Sequence, residues 1–99
     1  MGVRLDRSAV IERGKRDQAL EFAATVSDYV GENFGVTVTW GLQVGGTLGT
    51  LHWYADYESM AQLEETLGRT MTDAQYLKLV DEAADLFAAP PEDTLVYTM

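Results

Sequence analysis

The chain contains no cysteine, so it forms no disulfide bond and offers no thiolate to a metal or a substrate. Its single histidine, His52, leaves too few nitrogen ligands for a zinc site, and the acidic residues show no ligand spacing. No apolar run approaches the roughly 20 residues of a membrane span, and the N-terminus lacks the apolar segment of a signal peptide. These features predict a cytoplasmic protein without a metal or another cofactor.

Basic residues are also scarce. Seven Lys and Arg face 16 Asp and Glu, which leaves a net charge of −9. Such a charge repels both nucleic acid and anionic membrane surfaces, so neither is expected as a partner. The chain has 99 residues, of which 46% are hydrophobic. This length and composition predict one folded domain over residues 1–99.

The most strand-like stretch covers residues 36–57, where two runs of β-branched and aromatic residues meet at Gly45-Gly46. Two glycines between such runs predict a β-hairpin with a two-residue loop, in which Trp40 pairs with Leu51. Because side chains alternate along a strand, the hairpin divides into two faces. The apolar face carries Val36, Val38, Trp40, Leu42, Val44, Leu51, Trp53 and Ala55. The mostly polar face carries Thr37, Thr39, Gln43, Thr50, His52 and Tyr54.

The remaining residues predict elements that pack around this hairpin. A strand is expected over residues 3–11, a helix over residues 15–33 that stops at Gly35, and a last strand over residues 94–99. Two capping signatures, at Ser59 and Thr72, begin two further helices; the first stops at Gly68 and the second ends before Pro90. The resulting order, β-α-β-β-α(α)-β, predicts an α+β fold: a ferredoxin-like split βαβ with a four-stranded antiparallel sheet.

Helices in this arrangement cover only one face of the sheet. The face with both tryptophans is the better candidate for burial beneath them. The other face would carry Thr37, Thr39, His52 and Tyr54, with Arg7 or its neighbours, and it is polar without being strongly charged. We therefore expect a homodimer in which two such faces meet.

Two segments resemble motifs of NIPSNAP-like proteins in the dimeric α/β-barrel superfamily. Residues 7–15 (RSAVIERGK) resemble the opening strand-to-turn motif R-x-Y-x-L-x-P-G-K, and residues 46–60 (GTLGTLHWYADYESM) resemble the second hairpin strand. Arg13 stands where that family often has proline, and Trp53 where it often has histidine. The resemblance implies a dimeric α/β barrel with a substrate cavity between sheet and helices. The matching positions are Arg7, Gly14, Lys15, Gly46, Leu48, Tyr57, Glu58 and Ser59.

Candidate site residues are few. His52 could act as a general base or a haem ligand, although a hydrogen-bonded strand or interface residue is the simpler interpretation. Trp40, Trp53 and Tyr54 could stack on a flat aromatic ligand, although two tryptophans on one sheet face are more often core. Small alanines opposite the tryptophans would leave room beside the rings, and these are Ala19, Ala23, Ala83 and Ala84.

These features support three hypotheses. The first is a small homodimer of unassigned activity that binds an apolar or aromatic small molecule. The second is a cofactor-independent monooxygenase acting on an aromatic substrate, an activity that the superfamily includes; His52, Tyr54 and Trp40 would then serve as base, donor and stacking surface. The third is a purely structural or fused-partner module, for which a filled core would be the sign. Haem degradation, which the superfamily also includes, ranks below these because the chain has no helix histidine.

Overall fold

A four-stranded antiparallel sheet carries all the helices on one face. The computed structural model describes residues 1–99, and the strands follow the order β2-β3-β1-β4. This is the predicted α+β ferredoxin-like fold. None of the helices combines the length and the apolar character needed to cross a membrane. The elements are β1 (Gly2–Val10), α1 (Arg16–Phe34), β2 (Val38–Leu42), β3 (Thr50–Tyr57), α2 (Met60–Thr70), α3 (Ala74–Glu82), a 3₁₀ turn (Ala84–Leu86) and β4 (Glu92–Thr98).

Local signals set the helix ends. Gly35 ends α1 in the left-handed region at φ 68°, as predicted. The Ser59 hydroxyl accepts the Gln62 amide at 3.2 Å and starts α2. The predicted stop at Gly68 is wrong, because α2 continues to Thr70. A glycine weakens a helix interior by only about 1 kcal/mol, so it permits an end without requiring one.

Asp73, rather than the predicted Thr72, caps α3. Its carboxylate accepts the Tyr76 amide at 2.9 Å and the Tyr29 hydroxyl at 2.6 Å. The second bond joins the start of α3 to α1. Because α3 has no fully buried residue, this polar link is one of the contacts that hold the helix in place.

The hairpin register differs from the prediction by two residues. Trp40 pairs with Trp53 rather than with Leu51, and residues 44–49 form a six-residue loop closed by the Gln43 amide on the Thr50 carbonyl. Positive φ values occur at Gly46 and Gly49. This register pairs the two indoles and seats Leu51 in the core at 0% exposure. Since the shift is an even number, the predicted division into two faces survives.

The buried residues form two clusters beneath the helices. One cluster borders α2, and the other packs α1 against the start of β3. Strand β4 is exposed along its whole length. The first cluster consists of Val3, Leu5, Val36, Ala55, Tyr57 and Leu63, and the second consists of Ala19, Ala23 and Leu51.

The uncovered face of the sheet, here called the open face, carries His52 and Tyr54, as the alternation predicts. Arg7 does not lie there. It pairs with Trp53 across β1 and β3, and directly opposite residues share a face. Arg7 therefore projects beneath the helices, and its neighbours Asp6 and Ser8 occupy the open face instead.

Candidate functional site

A cavity of about 560 Å³ separates the sheet from the helices. This volume lies within the range of roughly 300–1,000 Å³ typical of small-molecule sites. The wall is mostly apolar because β1, β3 and α1 present their hydrophobic faces to it. Prominent apolar members of the wall are Leu5, Phe22, Val26, Trp53, Ala55 and Phe87.

Small side chains help to leave this space open. Ala83 and Ala84 line the cavity, as the sequence predicts, and so does Ala55. The other two alanines of that prediction, Ala19 and Ala23, are fully buried and pack against Leu51. They close the core at one end of the sheet, while the space remains on the side of α3.

One row of side chains crosses the sheet beneath the helices. Trp40 pairs with Trp53, Trp53 with Arg7, and Arg7 with Asp93, across all four strands. The row runs from an apolar end to a charged end. It places an indole and a guanidinium on adjacent strands in the wall of the same cavity.

The Trp53 indole is the least satisfied polar group of this row. Its Nε1 is buried and has no hydrogen-bond partner in the chain. Phe22 and Phe87 meet the ring edge-on, with centroid distances of 6.1 and 5.9 Å, and fix its position. A buried donor without an acceptor costs about 1–3 kcal/mol. Since the nitrogen exposes almost no surface to a water-sized atom, a ligand acceptor would relieve that penalty only where the neighbouring side chains yield.

Arg7 forms the charged end of the cavity. Its Nε and Nη2 donate to the two Asp93 carboxylate oxygens at 2.7 and 2.8 Å, and its Nη1 donates to the Tyr76 hydroxyl at 3.3 Å. The bond to Asp93 raises the pKa of Arg7 against the opposing effect of burial. The same bond lowers the pKa of Asp93. Both groups therefore stay ionised around neutral pH.

Tyr57 lies in the same region of the wall and is 7% exposed. Burial raises the pKa of its hydroxyl, while the nearby Arg7 charge lowers it and Tyr76 raises it. The hydroxyl therefore remains protonated at neutral pH. Arg7, Tyr57 and Tyr76 together give the cavity a cluster of hydrogen-bond donors.

The structure separates the residues predicted to bind a ligand. Trp53 lines the cavity. Trp40 packs against the cluster of Ala19, Ala23 and Leu51, and it is not part of the cavity wall. Tyr54 lies on the open face, so one flat ligand could not contact all three rings.

His52, the predicted candidate base, also lies on the open face. Its ring stacks on Tyr54 at 5.7 Å with an interplanar angle of 3°. Asp6 Oδ1 lies 2.8 Å from Nδ1, and Gln43 Oε1 lies 2.7 Å from Nε2. Both ring nitrogens are engaged, and the sheet stands between the imidazole and the cavity.

The sequence interpretation missed the polar cluster of Arg7, Tyr57 and Tyr76. A signal for it was present in β1. Arg7 occupies the same alternation as Val3, Leu5 and Ala9, so it is a charged residue on a strand face that is otherwise apolar.

No family model matches the chain, and no curated protein sequence matches it. Solved structures do match. An uncharacterized NIPSNAP domain protein from Burkholderia xenovorans is 16% identical with a TM-score of 0.83, over 100% of this chain and 95% of that one. A NIPSNAP family protein from Agrobacterium tumefaciens is 14% identical with a TM-score of 0.80, over 100% and 94%.

A candidate antibiotic biosynthesis monooxygenase from Nitrosomonas europaea is also similar. It is 16% identical with a TM-score of 0.76, over 99% of this chain and 90% of that one. At these identities the likeness concerns the fold. It confirms the ferredoxin-like arrangement and the predicted resemblance to NIPSNAP structures.

Proposed function

We propose that this protein binds an apolar or aromatic small molecule in the cavity between sheet and helices. The observation that carries the proposal is the mostly apolar cavity of about 560 Å³, whose wall includes Trp53 with a buried indole Nε1–H group that has no acceptor in the chain. Because this nitrogen is covered in the empty chain, a carbonyl or similar acceptor on the ligand would satisfy the donor once the neighbouring side chains shift to admit it. The flat body of the ligand would fill the apolar space beside Phe22 and Phe87.

A purely structural module is the less favoured alternative. Such a module gains stability by filling its core, because each unfilled methyl-sized space costs about 1 kcal/mol. A partly open, mostly apolar cavity of about 560 Å³ in a chain of 99 residues leaves the space beneath the helices unfilled, which does not favour that role. The unpaired Trp53 donor in its wall adds a second cost.

The proposal includes a homodimer formed through the open face. Most charged groups of that face have partners within the chain: Arg4 holds Asp56 at 2.9 Å, and the Asp6 carboxylate contacts the His52 ring at 2.8 Å, whereas Glu92 on β4 has no such partner. Val10 and Val96 stand beside these pairs and are exposed in the single chain. A surface with mostly paired charges and exposed valines suits contact with a second copy of itself, because its burial leaves few polar groups without a partner.

Two matched probes test the ligand proposal. 2-Acetylnaphthalene carries a carbonyl acceptor, and 2-isopropenylnaphthalene has nearly the same shape with a CH₂ group in place of the carbonyl oxygen. Titration calorimetry should give about fivefold or more tighter binding of the ketone, because only the ketone satisfies the indole donor. Trp53→Phe should abolish this preference, whereas Trp40→Phe should retain it.

The outcomes separate cleanly. Failure of both probes to bind would reject the cavity as a ligand site. Equal binding of both probes to the unmodified chain would reject the role of the Trp53 indole.

A second candidate function is a cofactor-independent monooxygenase acting on an aromatic substrate. The likeness in fold to candidate antibiotic biosynthesis monooxygenases from Nitrosomonas europaea and Bordetella bronchiseptica favours it, together with an apolar cavity beside tyrosine hydroxyls. The substrate would supply the electrons. One ring methylene would become a carbonyl, with one atom of O₂ entering the product and the other leaving as water with the two methylene hydrogens.

Incubation of 9-anthrone under ¹⁸O₂ with the chain tests this candidate. Catalysis predicts anthraquinone with one labelled oxygen, formed faster than without protein. Trp53→Phe should slow the reaction. His52→Ala should not, because His52 faces away from the cavity, although the sequence nominated it as the base. A rate equal to the protein-free control would reject the candidate for this substrate.

A further inference from the structure

We propose that the cavity ligand carries a carboxylate, and that Arg7 binds this group with the hydroxyls of Tyr57 and Tyr76. This inference rests on the proposed function, since it names the chemical class of the molecule in the same cavity. It assigns opposite roles to the two ends of the site. Trp53 and its aromatic neighbours hold the flat body, and Arg7 holds the acidic head.

Arg7 is the only basic side chain in the cavity wall. Its partner Asp93 is absent from the wall and keeps 40% of its side chain exposed. The carboxylate therefore binds one edge of the guanidinium from outside the cavity. Arg7 lines a space whose wall is mostly apolar, where a bond to an anion gains more than in water, although Asp93 offsets part of its charge.

The guanidinium retains binding capacity on its other edge. Asp93 takes the Nε–H group and one N–H of Nη2, and Tyr76 takes one N–H of Nη1. The second N–H of Nη1 and of Nη2 have no partner within the chain. The remaining N–H of Nη2 can bind one oxygen of a carboxylate, and the remaining N–H of Nη1 or the Tyr76 hydroxyl can bind the other.

The two tyrosines complete the acceptor pocket. Because the Tyr76 oxygen accepts from Arg7, its own hydroxyl proton is free to donate elsewhere. The raised pKa of Tyr57 keeps that hydroxyl protonated beside Arg7. The wall also contains one acidic side chain, Asp81 on α3, which would repel an anion. The head group must therefore bind near Arg7 and away from Asp81.

Pairs of near-isosteric probes test the inference. 2-Naphthoate and 2-acetylnaphthalene share ring and size but differ in charge. Titration calorimetry at neutral pH should show naphthoate binding about tenfold more tightly, because charge-assisted bidentate bonds are stronger than neutral ones. The double variant Arg7→Gln/Asp93→Asn should erase this preference.

A matched control is available on the same strand. Arg4 and Asp56 form an equivalent bidentate pair at 2.9 and 3.1 Å, but on the open face. Arg4→Gln/Asp56→Asn also removes one positive and one negative charge, here from β1 and β3. This variant should retain the preference for naphthoate. This comparison isolates the position of the arginine from the general charge of the protein.

Each result decides one claim. Equal binding of naphthoate and the ketone overturns the carboxylate inference and leaves the proposed function intact, whereas binding of neither probe overturns the proposed function. A preference that survives in the folded Arg7 double variant also overturns the inference. If that variant does not fold, Tyr57→Phe and Tyr76→Phe decide it, because an unchanged preference in both variants excludes the donor cluster.

Discussion

Arg7 and Trp53 stand directly opposite each other on the adjacent strands β1 and β3, on the face that the helices cover. This pairing brings a guanidinium and an unpartnered indole N–H into the wall of one apolar cavity. The two residues are 46 positions apart in sequence, and only the strand pairing joins them. The proposed binding of a ligand with an aromatic body and an acidic head depends on this relationship.

The open face and the cavity should respond independently to substitution. His52→Ala and Tyr54→Ala remove side chains from the open face, so the affinity for 2-acetylnaphthalene should stay within about twofold of the unmodified chain. A large loss in either variant would mean that the two faces are coupled or that the ligand lies on the open face.

Assembly through the open face predicts a dimer in solution. Light scattering coupled to size-exclusion chromatography should give twice the mass of the single chain. Val10→Glu places like charges in the symmetric contact and should shift the population to monomer. Met71→Glu, which changes an exposed residue between α2 and α3, is the control and should remain dimeric. A monomer from the unmodified chain would remove the dimer from the account.

Two leucines on the same hairpin test where the core lies. Leu51 is 0% exposed, and Leu48 in the loop is 74% exposed. Leu51→Ala should lower the free energy of unfolding by about 2–5 kcal/mol, whereas Leu48→Ala should change it by about 0.5 kcal/mol or less. Urea unfolding monitored by circular dichroism measures both. Similar losses in the two variants would contradict the observed loop and register.

Two glycines with opposite roles test the helix ends. Gly35 has φ 68°, whereas Gly68 lies inside α2 with open space around its α-carbon. Gly35→Ala should destabilise the chain by about 1 kcal/mol, and Gly68→Ala should stabilise it by about 0.5–1 kcal/mol. A destabilising Gly68→Ala would support the helix stop that the sequence had indicated.

The ion pair of Arg7 and Asp93 predicts a dependence of stability on pH. Because the pKa of Asp93 lies below its ordinary value of 3.8, the pair stabilises the folded chain above that value, and this contribution is lost as the pH falls through the folded pKa. The raised pKa of Arg7 preserves its charge throughout this range. The unmodified chain should therefore exceed Arg7→Gln/Asp93→Asn in free energy of unfolding by more near pH 6 than near pH 3. A difference in free energy of unfolding that stays constant or increases in acid would contradict the ion pair.

Most of the fold could be predicted from the alternation of apolar and polar residues along the strands and from the capping residues of the helices. The faces of the hairpin, the end of α1 at Gly35 and the start of α2 at Ser59 follow from local rules, because each depends on a few neighbouring residues. The register did not follow from such rules. Gly45-Gly46 offered a plausible short turn, but pairing Trp40 with Trp53 and burying Leu51 decided the loop through tertiary packing.

The candidate site was less predictable for the same reason. Trp53 could be nominated as an aromatic residue on the apolar face, but which tryptophan meets empty space depends on helix placement. Tyr76 reaches Arg7 across 69 sequence positions, and no local pattern encodes that contact. His52 was conspicuous as the only histidine, yet strand parity alone turns it away from the cavity.

The indole N–H signals provide the most direct test of the central claim. The chain has two tryptophans, so a ¹H–¹⁵N correlation spectrum should contain two such signals, which Trp53→Phe and Trp40→Phe assign. Addition of 2-acetylnaphthalene should shift the Trp53 signal downfield, as expected for a new hydrogen bond, while the Trp40 signal moves little. A Trp53 signal that stays in place at saturating ligand would contradict the account.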